Sequence, residues 1–123
     1  MKNNEYKIPP PTEKEIQNFT LSLFNSRGYY LWRNNTGMVH IGEGRNARMF
    51  HAGLKGSADI IGVSPKGLFV ALEIKRKGKK PSPFQVNFLK EVKDKGGIAE
   101  VIDSIEGAEQ LLIDLNVEVI ATP

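Results

Sequence analysis

Apolar and polar residues alternate along this chain with two different periods. Thr12-Glu13-Lys14-Glu15 opens the first patterned stretch, with Thr12 as N-cap and Thr12-x-x-Glu15 matching a capping box. Ile16, Phe19, Thr20, Leu23 and Phe24 continue it as one helical stripe, and Gly28 suits the C-terminal end. Tyr29-Tyr30-Leu31-Trp32-Arg33 reads as a strand, and Asn34-Asn35-Thr36-Gly37 as a polar loop. Residues 38–57 are too long for a simple connection, so short irregular strands near the site are expected there. Gly56–Val63 and Leu68–Lys75 are short apolar runs rich in β-branched residues, joined by Ser64-Pro65-Lys66-Gly67, and together predict a β-hairpin. Ser82 with Pro83 starts a second helix that ends at Gly96-Gly97, with Phe84, Phe88, Leu89 and Val92 inward. Ile98–Ile102 is a further strand. Asp103 or Ser104 caps a last helix to about Leu115, with Ile105, Ala108, Leu111 and Leu112 as its apolar face. Asn116 ends it, and Val117–Ile120 reads as an added edge strand. This order predicts an α/β domain with a central mixed β-sheet flanked by α-helices.

The hairpin holds the chemistry. Along the second strand, Leu68, Val70, Leu72 and Ile74 face one way, and Phe69, Ala71, Glu73 and Lys75 the other. A flush loop of four residues would set Asp59 opposite Leu72, on the wrong face for Glu73. Convergence of Asp59, Glu73 and Lys75 requires a register shifted by one residue, and that shift is the expectation. Ionisable groups in apolar strands are costly unless they pair or bind a cation. Two carboxylates and a lysine on one face suit phosphodiester hydrolysis, because hard oxygen ligands hold Mg²⁺ or Mn²⁺ and a lysine can orient water or offset developing charge. Glu-x-Lys alone is weak, since such pairs recur on solvated strand faces.

At 123 residues the chain fits one domain, read as a flexible arm over 1–11 with its Pro9-Pro10-Pro11 spacer and a single domain over 12–123. With no cysteine, disulfides and thiolate zinc sites are excluded, in keeping with a cytoplasmic setting. No apolar run is long enough to span a membrane. The net charge is only +3, but Lys75, Arg76, Lys77, Lys79 and Lys80 crowd together beside the carboxylates, which points to a polyanion. Arg33, Arg45, Arg48 and Lys55 are further phosphate contacts by type. His40 and His51 lack metal-ligand spacing. At 100° per residue, Glu13 lies about 60° from the centre of the first helical stripe and Glu15 about 100° on the other side. Glu13 is therefore the one able to reach inward, although either also suits a helix N-terminus.

The ordered set Thr12–Gln17, Trp32–Gly37, Gly53–Gly62, Leu72–Lys75, Ser82–Gln85 and Gly96-Gly97 resembles the virus-type replication-repair nuclease (VRR-NUC) domain of the PD-(D/E)xK superfamily over residues 12–103. Ala58 stands where the superfamily's name has proline. The resemblance implies a restriction-endonuclease-like core, with Asp59, Glu73 and the Ile74 carbonyl as Mg²⁺ or Mn²⁺ ligands. It makes Lys75 the catalytic lysine, adds Gln85 to the site, and places the helix-one glutamate on Glu13. It further implies a metal-dependent DNA endonuclease, structure-selective in the manner of Holliday-junction resolvases and acting as a homodimer in DNA repair, of a kind frequent in bacteriophages. Arg33, Asn35, Arg48, Lys55, Lys77, Lys79 and Lys80 are the candidate DNA contacts. The alternative is a non-catalytic nucleic-acid-binding module on the same fold.

Overall fold

The structure, a computed structural model, describes residues 7–35, 37–44 and 48–121; the side chains of 37–41, 48–52 and 117–121 lie outside that description. Of the sequence-derived candidates, Arg45 and the side chains of His40, Arg48 and His51 therefore lie outside the described residues. The elements run α1 (Glu13–Asn25), β1 (Tyr30–Arg33), β2 (Gly37–Ile41), β3 (Arg48–Ala52), β4 (Ile60–Val63), β5 (Phe69–Ile74), α2 (Pro83–Asp94), β6 (Ile98–Ile102) and α3 (Ile105–Ala121). The main sheet has the order β1-β4-β5-β6. β1 and β4, and β4 and β5, are antiparallel, whereas β5 and β6 are parallel, so the sheet is mixed as expected. The stretch read as irregular strands is instead a regular antiparallel hairpin of β2 and β3, forming a second small sheet.

Period two along β5 splits the core between the sheet's faces. Val70, Leu72 and Ile74 join Leu31, Ile60 and Ile102 against α1 and α3, through Ile16, Phe24, Ala108 and Leu112. On the other face Ala58, Ala71 and Ala99 pack under Phe88, Leu89 and Val92 of α2. Small alanines let that helix lie close to the sheet. Leu68 and Phe84, both expected inward, are exposed instead, because β5 begins one residue later and Phe84 sits at the outer edge of the first turn of α2.

Side chains also set the helix ends. Thr12 and Glu15 form the expected capping box, Ser82 and Gln85 form a second one, and Ser104 Oγ accepts the Gly107 N–H at 2.9 Å. The edge strand expected at Val117–Ile120 is not there: α3 continues through Asn116 to Ala121. Once a helix is under way, valine and isoleucine cost it only tenths of a kcal/mol each, about 0.7 at most. At the end of α1, Asn25 grips β1, its Oδ1 accepting from Leu31 N at 2.8 Å and its Nδ2 donating to Leu31 O at 3.0 Å.

The connection into β4 is held against α2. Gly56 has φ +83°, and a Cβ there would lie 2.6 Å from the Phe84 carbonyl. Gly56→Ala is expected to lose more than the roughly 1–3 kcal/mol of a left-handed non-glycine residue in urea denaturation, since the clash adds to the strain. Gly78→Ala, with φ +90° but open space around it, is expected to lose only the backbone part.

Candidate active site

The register of β4 and β5 decides where the carboxylates point. Ile60 pairs with Leu72 and Val63 with Phe69, so Ser64–Leu68 make the turn and the register is shifted by one from a flush four-residue loop. Continued by one step, that register puts Asp59 across from Glu73, on the α2 face of the sheet. Asp59 Oδ2 accepts from Ile74 N at 2.9 Å, which locks its carboxyl against the end of β5. Asn34 fixes the approach: its N–H donates to Asp59 O at 2.8 Å, and its side-chain amide donates to Ala58 O and Ser57 Oγ.

Glu73 is 1% exposed, and among the described residues its Oε2 has no hydrogen-bond partner. Burial, then the hydrogen-bonding proximity and negative charge of Asp59, push its carboxyl up to about 9; Lys75 opposes that rise and Glu13 adds to it. Two carboxylates this close in a dry site repel each other unless a proton or a cation sits with them. An orphaned buried oxygen beside a second carboxylate, with only hard oxygen donors about, fits a divalent cation of the Mg²⁺ or Mn²⁺ type. Ile74 turns its side chain into the core and its carbonyl belongs to the last residue of β5, next to the pair. Lys75, two residues past Glu73 and half-buried, has its N–H on Ile102 O at 3.0 Å.

Glu13 stands near the pair with a backbone partner of its own. Its Oε2 accepts from Arg76 N at 3.0 Å, tying the start of α1 to the chain leaving β5. Among the described residues no three His, Asp or Glu side chains gather into a metal cage, so Asp59 and Glu73 stand as a pair. Gln85 is likewise committed: its Oε1 accepts from Ser82 N at 2.8 Å, closing the cap of α2.

Beside Lys75, a groove of about 550 Å³ is lined by Thr12, Glu13, Lys14, Lys75, Arg76, Lys79 and Lys80. Lys79 is brought in by a turn, its N–H on Arg76 O at 3.0 Å, and Lys77 is exposed on that turn. Arg33 is not brought to this site. It pairs with Ile60 and donates to Gln17 at 2.7 Å and to Asn18, which puts its guanidinium over α1 on the opposite face of the sheet. Lys55 stands over the Phe84 ring, its Nζ 4.2 Å from the centroid, and Asn35 is exposed just past β1. Sequence reasoning passed over Lys14 and Asn34. Lys14 neighbours Glu13 in the first turn, a signal present in the pattern; nothing local marks Asn34, whose partners lie more than twenty residues away.

A solved structure titled "VRR_NUC domain" superposes with a TM-score of 0.60, covering 81% of this chain and 92% of its own at 21% identity. No family model and no curated protein matches the chain. The chain thus has the fold of a VRR_NUC domain, the α/β restriction-endonuclease-like arrangement expected from its motifs. No helix among the described residues is long and apolar enough to cross a membrane.

Proposed function

We propose that this chain is a Mg²⁺- or Mn²⁺-dependent endodeoxyribonuclease, selective for branched DNA in the manner of a Holliday-junction resolvase and working as a homodimer. The observation that carries the reading is the shifted hairpin register, which aligns Asp59 beside Lys75 with buried Glu73, whose Oε2 has no partner among the described residues. Asp59, Glu73 and the Ile74 carbonyl would hold the cation. When bound, the cation polarises the scissile phosphate and makes water a better nucleophile. The Lys75 ammonium orients the attacking water and offsets charge that builds on the phosphate oxygens. Asp59 keeps its orientation through the Ile74 N–H, so the donor set is organised before substrate arrives. Glu13 and Gln85 act at one remove, Glu13 holding the Arg76 backbone and Gln85 the start of α2. Lys14, Lys79 and Lys80 take backbone phosphates without reading sequence. Severing a four-way junction symmetrically needs two centres related by a two-fold axis, which is the reason for the dimer.

The deciding experiment incubates the protein with four-way junction, flap, duplex and single-stranded DNA in Mg²⁺, Mn²⁺ or EDTA. Cation-dependent cutting, greatest on branched DNA, is expected. Binding without cutting at any cation concentration would leave the non-catalytic module in its place. Lys79→Ala/Lys80→Ala is expected to weaken duplex binding and to lower the slope of log affinity against log salt by about 0.9 for each phosphate no longer neutralised. An unchanged slope would remove the groove from the binding surface.

A further inference from the structure

On the α2 face the sheet is only partly covered. α2 lies over Ala71 and Ala99 and reaches Ile61, and beyond it lie exposed side chains of β1. There Tyr30 and Trp32 are 74% and 45% exposed, while Leu31 between them is buried on the other face. Their rings lie 5.6 Å apart, tilted by 60°. Large aromatics held in water on a strand mark a contact surface. Position makes this pair more than a patch. Trp32 pairs with Ile61, and Ile61 with Ala71, in one row across the sheet. Two residues further along each strand lie Asn34, Asp59 and Glu73. The Trp32 row therefore adjoins the carboxylate row on the same face, about 7 Å away at the rise of an extended strand, with Tyr30 one row further off.

We infer that Tyr30 and Trp32 form a stacking platform for unpaired bases next to the phosphate cut at Asp59 and Glu73, so that the substrate carries single-stranded nucleotides at the cleavage point. The occupant follows from continuity and charge. The same centre is flanked by the groove of Lys14, Lys75, Arg76, Lys79 and Lys80, which calls for a polyanion, and an aromatic pair calls for flat apolar rings. An unpaired nucleic-acid strand offers both, whereas a closed duplex hides its base faces. The cutting half of this inference rests on the nuclease reading; the binding half does not.

Trp32 is the chain's only tryptophan, so its emission reports the platform directly. The test titrates the full chain in EDTA with a single-stranded oligonucleotide and with a blunt duplex of the same sequence, following tryptophan emission and, separately, anisotropy of a labelled strand. Saturable quenching by the single strand and none by the duplex is expected. Trp32→Ala and Tyr30→Ala are each expected to weaken single-strand binding by about 5- to 150-fold, with Trp32→Phe retaining most of it. Single-strand binding without quenching, or no single-strand binding at all, would overturn the inference. So would emission that shifts with protein concentration alone, because a second copy would then cover the face. The two readings fail separately. Quenching without Mg²⁺-dependent cutting removes the nuclease and keeps the platform; cutting without quenching does the reverse.

Discussion

Asp59→Asn is expected to yield a folded protein that binds DNA in EDTA as well as the wild type and cuts it at least about a hundred- to a thousand-fold more slowly, the scale of loss when one preorganised electrostatic partner is removed from a reaction centre. The substitution is chosen for what it keeps. An asparagine carbonyl can still accept from Ile74 N, so the end of β5 stays pinned, while the charge that would hold a cation is gone. Lys75→Ala is expected to give a loss of the same order by a different route, with cation binding retained. Gel assays of cut junction alongside anisotropy in EDTA separate the two effects. Equal turnover by Asp59→Asn and wild type would end the proposed mechanism.

Glu73→Gln is expected to lose cleavage and to gain stability at neutral pH when no divalent cation is present. The folded site raises the Glu73 carboxyl to about 9 from an ordinary 4.5, through burial first and Asp59 second. A raised acid holds its proton in the folded chain after the unfolded chain has released it. Stability therefore falls as pH climbs from about 4.5 towards 9, and below 4.5 the group contributes no slope. At about 1.4 kcal/mol per pH unit, the proton that the unfolded chain releases and the folded site keeps lowers stability at pH 7 by on the order of 3 kcal/mol. Glutamine has no proton to release on unfolding, so its urea midpoint in EDTA is expected to lie above that of the wild type at pH 7, with a flatter profile from pH 5 to 9. Mn²⁺ is expected to raise the wild-type midpoint, releasing protons as it binds, and to leave the glutamine variant unmoved. Wild-type stability that rises from pH 5 to 8 in EDTA, or equal Mn²⁺ responses, would contradict the site.

What could be read in the chain beforehand followed its local periods. Alternation in Val70, Ala71, Leu72, Glu73 and Ile74 announced a strand with one face to the core and Glu73 on the other, and the need to bring Asp59 to Glu73 predicted the shifted turn that β4 and β5 display. The capping box of α1 stood in the sequence as Thr12-x-x-Glu15, and the start of α2 as Ser82 with Pro83. The same chemistry misdirects elsewhere. Gln85 looks like a site residue and a cap residue at once, and only coordinates show its Oε1 on Ser82 N. Arg33 has the right charge, but strand alternation turns it to α1 and its polar partners Gln17 and Asn18. Val117–Ile120 carry strand-forming residues, yet the helix begun at Ser104 runs through them. Asn34 was illegible because its meaning lies wholly in distant partners.

The grip of Asn25 on Leu31 carries a consequence for self-association. β1 is an outer strand of the main sheet, and Leu31 is where its free N–H and C=O look outward. A side-chain amide already occupies both, as a neighbouring backbone would. Strand-by-strand annealing between molecules is therefore opposed at Leu31. Loss of Asn25 would unmask those two groups on β1 and leave the carboxylate pair untouched.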